Sequence, residues 1–154
     1  MGHRWLVKSE PSVYSIDDLR RDKTTLWDGV RNYQARNLLR DEFKKGDLVL
    51  FYHSNEEPVG VAGLAVVHRV DIVDPTQFEK KSQYYDPKAN KTQPRWYAPE
   101  IKFKNKFDRI VTLAEMRQVK ALQAMGLLKK GNRLSVQPLS DIEFETILEM
   151  AKSK

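Results

Sequence analysis

Two apolar runs in the middle of the chain constrain its fold more than any other feature. Leu48–His53 is rich in β-favouring residues and shows no polar alternation, which is typical of a strand buried on both faces. Val59–Val70 follows closely and is the longest apolar run, with Gly60 and Gly63 inside it. Glycine within a strand favours a bulge or a barrel corner over a flat sheet. We therefore predict a closely connected antiparallel pair in a curved sheet.

Capping and breaker residues divide the rest of the chain into short elements. Pro11 has no backbone N–H to donate, so it ends a first strand over His3–Lys8. We predict further strands over Trp96–Phe107 and Leu134–Val136, and helices that begin at Ser15–Asp18, Thr112–Glu115 and Ser140–Glu143. The second of these helices is expected to end at Gly126 and to bury Met116, Val119, Leu122 and Met125, and the last to bury Ile142, Phe144, Ile147 and Leu148.

Composition narrows the function classes. A length of 154 residues predicts one compact domain over 1–154. No apolar run approaches the ~20 residues of a membrane-spanning helix, so we expect a soluble, intracellular protein with no membrane partner. There is no cysteine, and the three histidines have no metal-binding spacing, so we expect neither a metal nor a cofactor. The net charge of +6 favours polyanionic partners to a modest degree.

The stretch Trp27–Arg40 concentrates groups that suit a nucleotide or nucleobase. Asp28-Gly29 is a turn dipeptide, and Asn32 is a good N-cap for a helix whose apolar positions recur at helical spacing. The N-terminus of a helix carries unpaired N–H groups and favours anions or polar acceptors. The alternative is a packed connection between core elements whose arginines are merely solvated.

Polar side chains follow two of the predicted strands. Lys8, Ser9 and Glu10 end the first strand, and His53-Ser54-Asn55 end the central one. Such residues form either a rim that faces a ligand or the polar cap of a sheet. A lone histidine is more often a structural residue than a catalyst.

The segment Asp71–Pro99 combines four prolines with many aromatic residues. A loop without a packing role has little reason to carry so many rings. We interpret it as an ordered excursion that packs on the barrel and walls a pocket, with Arg95-Trp96 the stronger candidates for that wall. The alternative is that the rings, Tyr84 and Tyr85 in particular, only anchor the loop.

Several motifs together resemble the EVE domain family. They are Trp5–Pro11, Trp27–Asn37, Phe51–Ser54, Asp74–Phe78, Tyr84–Pro87 and Pro94–Trp96, in order over nearly the whole chain. The resemblance implies an α+β, PUA-like fold, with a curved mixed or antiparallel β-barrel surrounded by short helices. It also implies a module that binds DNA or RNA carrying a modified base. The chain lacks the long basic N-terminal tail of the eukaryotic member, so we expect a stand-alone bacterial type, a monomer in the cytoplasm with access to the nucleoid.

On that model the site residues divide into three groups. An unstacked base is held between aromatic faces and read through its edge, while basic residues hold the flanking phosphates. The predicted pocket walls are Trp27 and Trp96, with Tyr33. The predicted readers of the base edge are Ser9, Asn32, His53 and Ser54, with the backbone near Val30 and Arg31. The predicted phosphate contacts are Lys8, Arg31, Arg36 and Arg95.

Two other functions compete with this interpretation. Ser9, Glu10 and His53 are residue types of a nucleophile and its base. However, Ser9 does not lie in a strand-turn-helix elbow, and the sequence has no cofactor loop or metal cluster, so we favour binding over catalysis. A module that takes a free metabolite or a protein partner is the second alternative. The salt dependence of binding separates this alternative from nucleic-acid binding. Affinity that depends on neutralising several phosphates falls steeply as salt rises, whereas affinity for a small neutral ligand hardly changes.

Overall fold

The computed structural model describes residues 3–132 and 134–152, and one curled sheet organises them. Its strands in the described ranges are β1 (Arg4–Ser9), β2 (Thr24–Leu26), β3 (Leu48–His53), β4 (Gly60–Arg69), β5 (Glu100–Thr112) and β6 (Val136–Leu139). Their order across the sheet is β2-β5-β4-β3-β1-β6. β1 and β3 are parallel, and the other neighbours are antiparallel. The predicted α+β fold with a curved mixed sheet is confirmed, in the form of a half-barrel.

The curvature arises where the sequence places its strand glycines. β3 and β4 pair as predicted, and the register shifts between Phe51 and Tyr52 on β3 and between Val61 and Gly63 on β4. A Cβ on Gly63 would lie 2.6 Å from the carbonyl oxygen of Asn105 on β5. The absence of a side chain therefore lets β5 cross β4 at close range, and the predicted bulge is confirmed.

Four α-helices flank the sheet in the described residues. They are α1 (Ile16–Asp22), α2 (Tyr33–Asn37), α3 (Leu113–Met116) and α4 (Asp141–Lys152). Ser15 and Thr112 form the predicted capping boxes, and the Asn32 side chain accepts a hydrogen bond from the Ala35 N–H. No helix in the described ranges is both long and apolar enough to cross a lipid bilayer.

Each face of the sheet supports its own core. Trp5, Val7 and Phe51 face α1, α2 and the loop at Trp27. Leu6, Leu50 and other strand residues whose side chains point to the opposite face contact α3, α4 and the turns between them. This alternation follows from the period of two along a strand. The candidate site described below lies at the end of the first core.

Four sequence predictions of local structure were wrong. α3 ends at Met116, and turns of 3₁₀ helix at Lys120–Leu122 and Gly126–Leu128 replace the helix predicted to reach Gly126. The side-chain amide of Gln123 donates to the carbonyls of Arg117 and Val119, a local pairing that competes with a continuous helix. Ile142 is 69% exposed rather than buried. β5 and β6 also begin later than predicted, at Glu100 and Val136.

The excursion from Asp71 to Pro99 is ordered, as predicted, and one buried amide closes it. Gln77 is fully buried. Its Nε2 donates to the carbonyl oxygens of Asp74 and Trp96, and its Oε1 accepts the N–H groups of Arg95 and Trp96. These four bonds use the whole capacity of the amide, so they tie the start of the excursion to its end.

Candidate functional site

A cavity of about 590 Å³ opens where β1 ends, beside β2 and the loop that follows it. The volume lies within the range of about 300–1,000 Å³ typical of small-molecule sites. Five residues predicted from the sequence line the cavity: Lys8, Ser9, Trp27, Val30 and Arg31. The remaining lining comes from Glu10, Val13, Tyr14, Thr25, Leu26, Asp28, Gly29, Gln83, Tyr84 and Ser135.

Trp27 is fixed in place by the core beneath the cavity. The residue is 8% exposed, and its ring packs edge-to-face with the Phe51 ring at 5.4 Å between centroids. Its backbone N–H donates to the Pro99 carbonyl oxygen over 2.8 Å. Trp27 therefore offers a small part of a rigid ring to the cavity, with little conformational freedom left to lose on binding.

Gly29 allows a second ring, Tyr84, to reach the cavity. Gly29 has a φ of +78°, and its N–H donates to Asp74 Oδ2 over 2.8 Å. A Cβ at this position would lie 2.8 Å from the Tyr84 ring. The turn thus needs glycine both for its left-handed backbone and for the close packing of the tyrosine.

Arg31 connects the loop after β2 to the excursion. Its guanidinium forms an ion pair with the buried Asp74 at 3.0 Å and donates twice to the Tyr84 carbonyl oxygen, at 3.0 and 2.8 Å. It also donates to Thr76 Oγ1 and to the Val30 carbonyl oxygen. With these partners engaged, Arg31 positions the cavity wall, which differs from the phosphate contact predicted for it.

Trp96 lies outside the cavity lining. Its side chain is 5% exposed, and its Nε1 donates to Asp86 Oδ2 over 2.7 Å. The Asp86 carboxylate accepts this bond, which holds its pKa below the usual value. The ring stacks on Tyr33 at 4.9 Å, and the Arg31 guanidinium lies 5.1 Å from its centroid. The structure therefore packs Trp96 between neighbours rather than along the predicted pocket wall.

Tyr33, Arg36, Arg95 and Trp96 form one group, here called the Tyr33 cluster. Arg36 lies 4.9 Å from the Tyr33 ring centroid and donates to the Arg95 carbonyl oxygen over 2.8 Å. The Arg95 guanidinium donates to the Tyr33 hydroxyl over 3.1 Å. The four residues are thus brought together, though outside the cavity lining.

Ser9 and His53 are neighbours across β1 and β3, and each has another hydrogen-bond partner. The Ser9 hydroxyl donates to the Tyr14 carbonyl oxygen over 2.7 Å. His53 Nε2 accepts the N–H of Ile16 over 3.1 Å, and burial lowers the pKa of the imidazole. Neither the hydroxyl proton nor the Nε2 lone pair is directed at the other residue, so the geometry does not form a nucleophile and base.

Ser54 lines a second cavity of about 550 Å³. This cavity shares Lys8, Ser9, Glu10 and Ser135 with the first, and Asn55 and Asn132 complete its lining. Asn32, by contrast, uses its side-chain oxygen as the cap of α2. Ser54 thus lies beside the first cavity. The side chains of Asn32 and His53 accept hydrogen bonds from N–H groups at the starts of α2 and α1.

Nothing in the described ranges gathers three or more metal-ligating histidine, cysteine or acidic side chains at one place.

Comparison with known families places these features in context. A model of the EVE domain matches residues 3–150. The chain belongs to the EVE domain family. Thymocyte nuclear protein 1 of Danio rerio is 41% identical over 166 residues, which cover 96% of this chain and 71% of that protein. The family predicted from the motifs is confirmed.

Solved structures resemble this EVE domain over its full length. A hypothetical protein from Leishmania major has a TM-score of 0.94 at 48% identity, covering 99% of this chain and 96% of its own. Human THYN1, in complex with DNA containing 5-methylcytosine, has a TM-score of 0.91 at 38% identity, covering 99% of both chains. The YTH domain of Zygosaccharomyces rouxii MRB1 matches at a TM-score of 0.56 and 13% identity, which shows a shared fold alone.

Several lining residues of the EVE domain were not selected from the sequence. The sequence marks Asp28 and Gly29 as a turn but not as cavity lining, and for Tyr84 it leaves open the alternative of a loop anchor. Gln83 and Ser135 belong to segments far apart in the chain, and no local pattern marks them. A local pattern does mark Asp28 as lining, because its carboxylate follows Trp27 directly at a turn, which places a polar group beside an aromatic ring.

We expect Asp28→Asn to stabilise the EVE domain slightly at neutral pH. Burial raises the pKa of Asp28, Asp74 raises it further, and Arg31 opposes them. A raised pKa means that the folded state disfavours the ionised carboxyl, so the penalty is absent below the unfolded pKa and present once pH exceeds the folded pKa. Thermal unfolding of both proteins from pH 3 to 8 should show a higher Tm for the variant at pH 7 and convergence in acid.

The exposed Asp108 provides the matched control for that experiment. Asp108→Asn removes the same charge from an exposed side chain, and its effect on Tm should be small. An Asp28→Asn variant that is less stable at pH 7 than at pH 3, relative to wild type, would contradict the assignment.

Proposed function

We propose that this EVE domain binds nucleic acid carrying a modified base, and specifically DNA, with the altered base held in the cavity beside Trp27. The observation that carries the proposal is the human THYN1 structure in complex with 5-methylcytosine-containing DNA, which covers 99% of this chain at 38% identity. A cytosine modified at its 5-position is accordingly the first ligand to test.

The lining of the cavity has the chemistry that a flipped base requires. Trp27 and Tyr84 contribute aromatic surface, and Ser9, Gln83 and Ser135 contribute hydrogen-bonding groups. Bases outside a duplex are commonly held by aromatic stacking and by hydrogen bonds to their edges. Because Trp27 and Tyr84 are fixed by Phe51, Gly29 and the contacts of Arg31, the cavity is formed before a ligand arrives.

Lys8 supplies a cation at the boundary between the two cavities. Its ammonium group is partly buried, and this loss of hydration lowers its pKa. Within 3–132 and 134–152 its side chain forms no ion pair. A phosphate next to the bound base would provide the missing counter-charge, so we assign Lys8 to the nucleic-acid backbone.

Binding of labelled oligonucleotides tests the proposal directly. One sequence is prepared with a central cytosine, 5-methylcytosine or N6-methyladenine, as single- and double-stranded DNA and RNA, and affinity is measured at two salt concentrations. We expect 5-methylcytosine DNA to bind more tightly than its unmodified twin, and all binding to weaken as salt rises. Equal affinity for modified and unmodified DNA would contradict a pocket that reads the modification.

Lys8→Gln should reduce the salt dependence while preserving the preference for the modified base. One phosphate contact contributes about one unit to the slope of log affinity against log salt. Lys120→Gln is the matched control, because Lys120 is exposed and lies in a turn that packs through Leu122 on the opposite face of the sheet. An identical loss of slope in both variants would show a general charge effect rather than a contact at Lys8.

A further inference from the structure

Tyr33 is an exposed ring held in a defined orientation. It is 50% exposed, one of the few large hydrophobic side chains at the surface of the described residues. One face stacks on Trp96, with centroids 4.9 Å apart and an interplanar angle of 26°. Trp96 itself is buried and bonded to Asp86, so the stack has a rigid base. The Tyr33 ring is therefore presented at the surface in a fixed position, where a planar group could stack on it.

The far face of Tyr33 is not covered by Arg36. The Arg36 Cζ lies 4.9 Å from the Tyr33 centroid and 5.9 Å from the Trp96 centroid. A guanidinium stacked on the far face of Tyr33 would lie much farther from Trp96 than from Tyr33, because the Tyr33 ring would stand between the two groups. The Arg36 guanidinium is therefore not stacked across the far face of Tyr33, and half of the tyrosine surface stays exposed.

Two positive charges border this ring. Arg36 donates to Asn37 Oδ1 and to a carbonyl oxygen, and Arg95 donates to the Tyr33 hydroxyl. In the part of the chain that the structure describes, neither guanidinium forms an ion pair with a carboxylate. An exposed ring bordered by cations that form no direct ion pair matches the surfaces that bind single-stranded nucleic acid by stacking and phosphate contact.

Arg31 links this surface to the cavity. Its guanidinium lies 5.5 Å from the Tyr84 ring, which lines the cavity, and 5.1 Å from the Trp96 ring, on which Tyr33 stacks. The order is therefore Tyr84, Arg31, Trp96 and Tyr33, with neighbours about 5 Å apart. A strand whose modified base enters the cavity reaches Tyr33 within a few nucleotides.

We propose that the exposed face of Tyr33, bordered by Arg36 and Arg95, is a second binding site, which stacks an unpaired base near the modified one and contacts its phosphate. This inference rests on the proposed function, because it needs a nucleic acid seated in the cavity. Stacking is indifferent to base identity, so the second site adds affinity without sequence preference. It selects oligonucleotides over free nucleosides.

The test compares two ligands of different length. Affinity is measured for 5-methyldeoxycytidine nucleoside and for single-stranded DNA of about nine nucleotides with one central 5-methylcytosine. Tyr33→Ala should weaken oligonucleotide binding about tenfold, in line with the loss of one stacked base, and leave nucleoside affinity within about twofold. Tyr33→Phe keeps the ring and should restore most of the loss. Ile142→Ala, which shortens another exposed apolar side chain, should change neither affinity.

Two further measurements locate the stacked base and the phosphate. 2-Aminopurine is placed in turn at each position beside the modified base, and its fluorescence should be quenched by wild type at one position and not by Tyr33→Ala. Arg95→Gln should reduce the salt slope by about one unit, whereas Arg95→Lys should keep it.

The outcomes separate this inference from the proposed function. If Tyr33→Ala matches wild type on the oligonucleotide while the preference for 5-methylcytosine persists, the second site is wrong and the cavity assignment stands. If Tyr33→Ala weakens nucleoside and oligonucleotide equally, Tyr33 acts through the cavity and the second site is again wrong. If wild type binds neither ligand, both proposals fall.

Discussion

Replacing Asp74 with alanine is expected to lower the free energy of unfolding by about 3 kcal/mol, at the low end of the range for breaking a buried ion pair. Asp74 is fully buried and accepts hydrogen bonds from the Gly29 N–H, the Arg31 guanidinium and both the N–H and hydroxyl of Thr76. Without the carboxylate, these donors lose their acceptor and Arg31 loses its counter-charge. Urea unfolding should show a lower midpoint with an unchanged m-value.

Two comparisons make the Asp74 result specific. Asp108→Ala removes an exposed carboxylate and should change stability by no more than about 0.5 kcal/mol. Arg31→Ala combined with Asp74→Ala should cost less than the sum of the single changes, because each single change already breaks the pair. Additive losses would mean that Arg31 and Asp74 stabilise the loop independently. In that case the Arg31–Asp74 ion pair would not be what connects the cavity wall to the excursion.

Trp27→Ala is expected to lower affinity for 5-methylcytosine DNA by about 10- to 100-fold, because the cavity loses a stacking surface. The same change should cost about 3 kcal/mol of stability, since a ring that is only 8% exposed leaves a void in the core. Binding is therefore measured well below the variant's Tm, with folding verified by near-ultraviolet circular dichroism. A preference for the modified base that survives at full strength would exclude Trp27 from the pocket.

Trp5 offers the control for the loss of stability at Trp27. It is 2% exposed in the same core and does not line the cavity, and its Nε1 donates to Asp47 over 2.9 Å. Trp5→Phe removes that bond and part of the packing, so it should destabilise the protein without weakening the binding of DNA. Trp27→Phe, which keeps a smaller ring, should lie between wild type and Trp27→Ala in affinity. Equal binding defects in Trp5→Phe and Trp27→Phe would attribute the effect to stability alone.

Elements determined by neighbouring residues could be predicted from the sequence. Gly60 and Gly63 marked the bulged strand, and the capping boxes at Ser15 and Thr112 marked helix starts, because each signal acts over a few residues. The stretch after α3 shows the limit. Met116, Leu122 and Met125 are buried as the periodicity predicts, yet they are carried by separate turns rather than one helix.

The site shows the same division between local and distant determinants. Ser9 and Trp27 could be selected because a strand end and a turn mark them locally. The sequence could not tell whether Tyr84 or Trp96 lines the cavity, because both rings lie in one polar, proline-rich segment. Their places depend on Gly29, which admits Tyr84, and on Gln77, which holds the backbone of Trp96 inward. These contacts join residues 19 to more than 50 positions apart, beyond the reach of any short motif.

The half-barrel leaves two sheet edges, and both are poor templates for aggregation. β2 has three residues, and β6 has four, one of which is Pro138. Exposed edge strands recruit other chains through unpaired N–H and C=O groups, and short strands or prolines limit that recruitment. The two outermost strands of the sheet are therefore short, and neither offers a long row of unpaired groups to another chain.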